Sequence, residues 1–120
     1  MNTVINPSPT PESALIAYGT LAPNKPNHSV VEHIRGTWHK GIVRGKLVNK
    51  GWGAQTGHAG YVPAGLEEQI EIPVYVLISN ELATNWQRLD EFEGADYHRM
   101  LTPYELETGE KGVGYIYAVK

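Results

Sequence analysis

The sequence predicts an α+β fold, a small mixed β-barrel flanked by two main helices. Three observations lead there. Ile70, Ile72, Val74, Val76 and Ile78 recur at a period of two, the pattern of a half-buried strand. "TWHKGIVRGKLV" is rich in β-branched residues yet broken by Gly41 and Gly45, and glycine inside a strand marks a bulge or tight bend of the kind small barrels use. Two other segments space their apolar residues as helices do: Val30, Val31 and Ile34, then Leu82, Trp86 and Leu89.

A chain of 120 residues implies one domain. At that size a fold buries roughly two-thirds of the surface its unfolded chain exposes, enough for a core without covalent staples. There is no cysteine, which removes disulfides, thiolate metal sites and a cysteine nucleophile together. The formal charge of −3 and a pI near 5.9 argue against a nucleic-acid partner, which selects for a basic footprint. Nothing approaches the run of about 18 apolar residues that a membrane span needs, so no membrane partner is expected. "MNTVINPSPTPES" has neither a positive start nor an apolar block, so it does not read as a signal peptide. A cytoplasmic monomer or homodimer is the expectation. Seven Tyr and three Trp stand against one Phe. Such rings carry a polar tip on an apolar body, which suits a semi-polar cavity or a tyrosine-lined barrel interior.

The elements follow in order. Pro7, Pro9 and Pro11 alternate with small residues, so residues 1–12 read as a flexible N-terminal arm and 13–120 as the domain. "SALIAYG" is a short buried strand stopped by Gly19. "NHSVVEHIRG" is a short helix with Gly36 as its stop. The bent strand "TWHKGIVRGKLV" is followed by a glycine-rich loop over residues 49–66, a length that in a compact domain is usually functional or mobile. In the next strand Pro73 indicates an edge or bulge. "SNELATNWQRLDEFEG" is the main helix, with Ser79 or Asn80 as N-cap and Gly94 as the stop. "DYHRMLTPYELET" and "VGYIYAVK" form a closing hairpin about "GEKG".

The acidic run "LDEFEGAD" offers four carboxylates, and the main helix ranks them. At about 100° per residue, Glu93 lies roughly 20° from Leu82 on the helical wheel, Asp90 about 80° to one side and Glu91 about 180° away. Glu93 therefore aims at the core, Asp90 flanks it and Glu91 faces solvent. Burial raises the pKa of a carboxyl toward the range a general base needs. A frayed helix end or a structural partner such as Arg99 would instead make Glu93 a packing residue. Tyr97 and Arg99 alternate on the following strand, Tyr97 facing inward or packing, Arg99 more simply in a surface ion pair. Tyr117 is either a donor to a ligand or a core ring.

At the end of the first strand, Tyr18, Gly19, Thr20 and Leu21 make a turn whose successive amides can hold an anion. Gly19 permits the tight turn and Thr20 adds a hydroxyl. His28, His33, His39, His58 and His98 are scattered without the convergence a metal needs, so neither a metal nor a cofactor is expected. No G-x-S-x-G elbow or phosphate-binding GK[ST] ending is present. Trp52 and His58 are candidates for a pocket rim.

"YGTL" resembles the YGSL or YGSN loop of the gamma-glutamylcyclotransferase-like family, and "LDEFEGADYHR" resembles its LDxxEGxxYxR segment. "GYVP" to "IPVYVL" and "GYIYAV" also sit where that pattern puts comparable pieces, so the resemblance spans about residues 15 to 119. It implies a small β-barrel flanked by helices around one cavity. It implies an enzyme that cyclises a γ-glutamyl group to 5-oxoproline and releases an amine. The tyrosine–glycine loop would bind the small γ-glutamyl substrate, and Glu93 would be the acid/base. Thr20 replaces the usual Ser, keeping a hydroxyl but adding a methyl. Leu21 in place of Asn points to the small single-domain branch of the family. A binding module of the same fold that holds a small acidic ligand without turnover is the alternative. Glycosidase-like chemistry from two facing carboxylates is disfavoured, because the wheel turns only Glu93 inward.

Overall fold

The computed structural model describes residues 10–49, 59–63, 65 and 69–120. In chain order the elements are β1 (Ala14–Ala17), β2 (Thr37–Val48), β3 (Gly60–Val62), β4 (Ile70–Ile78), α1 (Trp86–Glu93), β5 (Tyr97–Leu106) and β6 (Lys111–Val119). β1, β4, β2, β5 and β6 pair in that order and β6 returns to β1, so five strands close a ring. Every pairing in the ring is antiparallel except β1–β6, which run parallel through Leu15↔Tyr115 and Ile16↔Ile116. β3 adds at one mouth, antiparallel to the end of β2 and parallel to β6 at Tyr61↔Ala118. It lies inside the stretch expected to be loop; three residues are too few to show a periodicity.

Strand alternation splits the apolar residues into two layers. Ile16, Val43, Ile72, Val76 and Ile116 fill the barrel. Leu15, Leu77, Leu89, Tyr117 and Val119 form a second layer between the barrel wall and α1. β1 is buried at all four positions because both of its faces are covered. Gly41 shows why β2 carries glycine: a Cβ there would stand 2.5 Å from the Glu105 carbonyl oxygen where β5 crosses. Pro73 sits beyond the reach of β1, whose pairing with β4 ends at Ala17↔Tyr75, so its missing N–H breaks no ladder on that side.

Two expectations need correction. Among the described residues there is one α-helix, not two. The stretch after Asn27 forms a single 3-10 turn, His28–Val30, followed by turns. Val31 and Ile34 are buried as their spacing implies, but β-branched residues and a length below about 12 residues do not sustain a helix. The main helix also starts later than expected. Neither Ser79 nor Asn80 is its N-cap: the Ser79 hydroxyl accepts from the Glu81 amide at 3.0 Å, and Glu81 precedes a 3-10 turn, Leu82–Thr84, while Asn85 stands at the start of the helix. Thr84 Oγ1 and Asn85 Nδ2 both donate to the Glu81 carbonyl, at 3.0 and 2.8 Å, and such side-chain bonds compete with the helical ladder. α1 begins only at Trp86. The Trp86 indole donates to the Glu12 carbonyl at 2.9 Å, which fastens the residues just before β1 to this helix. No helix among the described residues is long and apolar enough to cross a membrane.

Candidate active site

β1 and β6 part company after Ile16 and Ile116. In the split lies a small cleft that opens to solvent, lined by Ile16 to Leu21, Ala59, Glu93, Tyr97 and Tyr117. Tyr18, Gly19, Thr20, Leu21, Glu93, Tyr97 and Tyr117, the residues singled out in the sequence, are thus brought to one place. Trp52 and His58 lie outside the described residues. The cleft forms where parallel strands diverge, a position at which sheets commonly hold ligands.

Glu93 arrives there as the last residue of α1. Trp86, Leu89 and Glu93 share one helical face and are all buried, Glu93 with 7% of its surface exposed. Glu91 and Asp96 are exposed and Asp90 is half-buried, the ranking the wheel gives. Gly94 then takes φ 78°, a conformation glycine adopts without the Cβ penalty, and turns the chain into β5. Burial pushes the Glu93 carboxyl up from 4.5 to about 7. Its place at a helix C-terminus disfavours the negative charge in the same sense.

The turn after β1 is held from below. The Asn27 amide donates to the Thr20 carbonyl at 2.9 Å and the Ala22 amide to the Gly19 carbonyl at 3.2 Å. His28 Nδ1 bonds the Leu21 carbonyl at 2.8 Å, and its ring lies against Trp38 with centroids 5.3 Å apart. Within the described residues the amides of Gly19, Thr20 and Leu21 donate to no backbone carbonyl. Gly19 does not serve the turn by a left-handed backbone, because its φ lies outside that region. Among the described residues a Cβ on it would meet nothing within 4 Å, so what the glycine contributes is open space in the cleft.

The tyrosines are fixed by hydrogen bonds. The Tyr18 hydroxyl accepts from the Tyr61 amide at 2.8 Å and donates to the Tyr117 carbonyl at 2.8 Å, bridging β3 and β6. Burial raises its pKa above the ordinary phenol range, against the Tyr61 hydrogen bond, which lowers it. The Tyr117 hydroxyl donates to Asp90 Oδ1 at 2.7 Å, so its proton is committed to a neighbour and not to a ligand. Burial, then the Asp90 carboxylate, raises the Tyr117 pKa well beyond the phenol range. Arg99 grips the same carboxylate with two bonds, Nε to Oδ1 at 2.9 Å and Nη2 to Oδ2 at 3.2 Å. Its guanidinium lies 4.8 Å from the Trp86 ring centroid and 4.5 Å from that of Tyr115. Arg99 is therefore the partner of Asp90. Sequence reasoning left Asp90 as a mere flank; its position one helical turn before Glu93, with Arg99 two residues after Tyr97, was the available signal.

Chemically the cleft combines one carboxyl able to change protonation near neutral pH with a row of backbone amides. None of its described lining residues is Lys, Arg or His. Among the described residues, no three His, Asp or Glu converge to hold a metal ion.

A family model described as gamma-glutamyl cyclotransferase, AIG2-like, matches residues 15–120. No curated protein matches the chain. Among solved structures, YkqA from Bacillus subtilis superposes with a TM-score of 0.69 at 24% identity, over 90% of this chain and 36% of that one. An AIG2-like protein from Mus musculus gives 0.60 at 23% identity, over 89% and 76%. A gamma-glutamyl cyclotransferase gives 0.62 at 17% identity, over 89% and 66%. These likenesses establish the fold. The chain spans about a third of the length of YkqA.

Proposed function

The chain belongs to the gamma-glutamyl cyclotransferase, AIG2-like family, and from that premise we propose that it cyclises a γ-glutamyl amine or amide to 5-oxoproline and releases the amine. The observation that carries this reading is the buried Glu93 carboxyl, delivered by α1 into the cleft at the end of β1 and ionising near pH 7.

The reaction is internal to the substrate. The α-nitrogen attacks the γ-carbonyl carbon, a five-membered lactam ring forms, and the bond from that carbon to the amide nitrogen breaks. In net terms two protons pass from the α-ammonium to the leaving nitrogen, which departs as an ammonium ion. Glu93 carries them, first as base and then as acid, a service worth about 10²- to 10⁴-fold. The amides of Gly19, Thr20 and Leu21 receive the substrate α-carboxylate or the oxyanion that develops on the carbonyl. The walls of the cleft fold the substrate so that amine and carbonyl meet, which replaces a search by a fixed approach.

A panel of γ-glutamyl amines and γ-glutamyl amino acids, assayed for 5-oxoproline release, tests the reading. Glu93→Gln should abolish release while its circular dichroism matches the wild type, and Glu91→Gln should remain active. Full activity in Glu93→Gln overturns the assignment. Binding of the panel without turnover would indicate a ligand-holding protein of the same fold.

A further inference from the structure

The chain Tyr117–Asp90–Arg99 lies beside the proposed chemistry and has no part in it as described above. Its geometry is specific. Asp90 Oδ1 accepts from both the Tyr117 hydroxyl at 2.7 Å and Arg99 Nε at 2.9 Å, and Oδ2 accepts from Arg99 Nη2 at 3.2 Å. The guanidinium is in turn held over the Trp86 and Tyr115 rings. A planar fork on a carboxylate fixes the carboxylate plane as well as its distance. Tyr117 has one hydroxyl hydrogen, and Asp90 takes it.

We propose that Asp90 is a positioning residue of the cleft: anchored by Arg99, it holds the Tyr117 phenol by its only hydrogen, leaving the oxygen with lone pairs alone. On the function proposed above, on which this inference rests, the group suited to those lone pairs is the substrate α-amine. That nitrogen has N–H groups to give and must lie near Glu93. Tyr117 then orients the amine as an acceptor, the opposite of the donor role its hydroxyl suggests in sequence. Arg99 acts one step further back. By neutralising Asp90 it also prevents a bare carboxylate from standing three residues from Glu93 on the same helix.

A double-mutant cycle on kcat/KM tests this, using a γ-glutamyl compound the wild type turns over. Asp90→Ala should lower kcat/KM roughly 10- to 100-fold, the usual range for losing a hydrogen bond to a charged group. Asp90→Asn, which keeps an acceptor oxygen, should recover most of that loss. In a Tyr117→Phe background Asp90→Ala should cost no more than about twofold further, because the residue it acts through is gone. An equal loss in both backgrounds, or no loss in the wild-type background, overturns the proposal. A second readout needs neither activity nor a fully stable alanine variant. The tyrosine ¹³Cζ resonance of Tyr117, assigned by its disappearance in Tyr117→Phe, should move upfield in Asp90→Asn and by a smaller amount in Arg99→Lys. A resonance unmoved in Asp90→Asn overturns the proposal. If no γ-glutamyl compound is turned over while that resonance moves, the functional reading falls and the positioning of Tyr117 by Asp90 stands.

Discussion

The Leu21 carbonyl and His28 Nδ1 lie 2.8 Å apart, and this bond ties the proposed substrate turn to the 3-10 turn that follows it. A carbonyl only accepts, so Nδ1 carries the hydrogen. His28→Ala should raise KM several-fold, about what one lost hydrogen bond implies, with a smaller change in kcat. His28→Asn, which retains an N–H donor, should recover part of the loss. Steady-state kinetics decides it; an unchanged KM in His28→Ala would show that the turn holds itself.

Glu93 makes stability depend on pH with a definite sign. Its carboxyl is raised from 4.5 to about 7 by burial, so between those values the folded protein binds more protons than the unfolded chain. Stability from this group is full below about pH 4.5 and is lost as pH rises toward and through 7. Glu93→Gln removes the penalty, and should melt above the wild type at pH 8 by an amount equivalent to roughly 2–3 kcal/mol, with little difference at pH 4. Scanning calorimetry of both proteins at the two pH values measures it.

The same ionisation sets the pH dependence of activity. A base must be deprotonated to act, so kcat/KM should climb through a limb centred near pH 7, where Glu93 ionises. A profile flat from pH 5 to 8 would remove Glu93 from the role of base.

Gly19→Ala separates space from conformation. The backbone there needs no left-handed φ and an added methyl meets no atom of the described residues, so the melting temperature should stay within about 2 °C of the wild type. The methyl projects into open space in the cleft, and KM should rise while the fold is unaltered. A loss of stability without a change in KM would return the residue to an ordinary turn.

Glu93 is legible in the sequence because a helix keeps its phase over two turns. Trp86, Leu89 and Glu93 hold their shared face even though the helix starts later than its caps imply. The barrel is legible because Ile72, Val74 and Val76 alternate and Gly41 marks where β5 must come close. β3 is not: its three residues are a strand only because β2 and β6 flank them. The stretch around Val31 and Ile34 shows the limit of periodicity, which reports the buried face but not the hydrogen bonds beneath it. The Tyr117–Asp90–Arg99 relay joins three elements, and a single sequence records which residues can pair but not which do.

The ring of strands is buckled shut by two residue pairs, Leu15↔Tyr115 and Ile16↔Ile116, and the cleft begins where that buckle ends. A short junction of the hoop, two residue pairs like that between β2 and β5, therefore borders the cleft. The Tyr18 hydroxyl stands beside it as a rung between β3 and β6. A guest that spans from the Gly19 turn to Glu93 would fasten the two sides of the opening together. Occupancy and mechanical closure then become one event, and filling the cleft would register as a rise in melting temperature, whether or not a bond is made or broken.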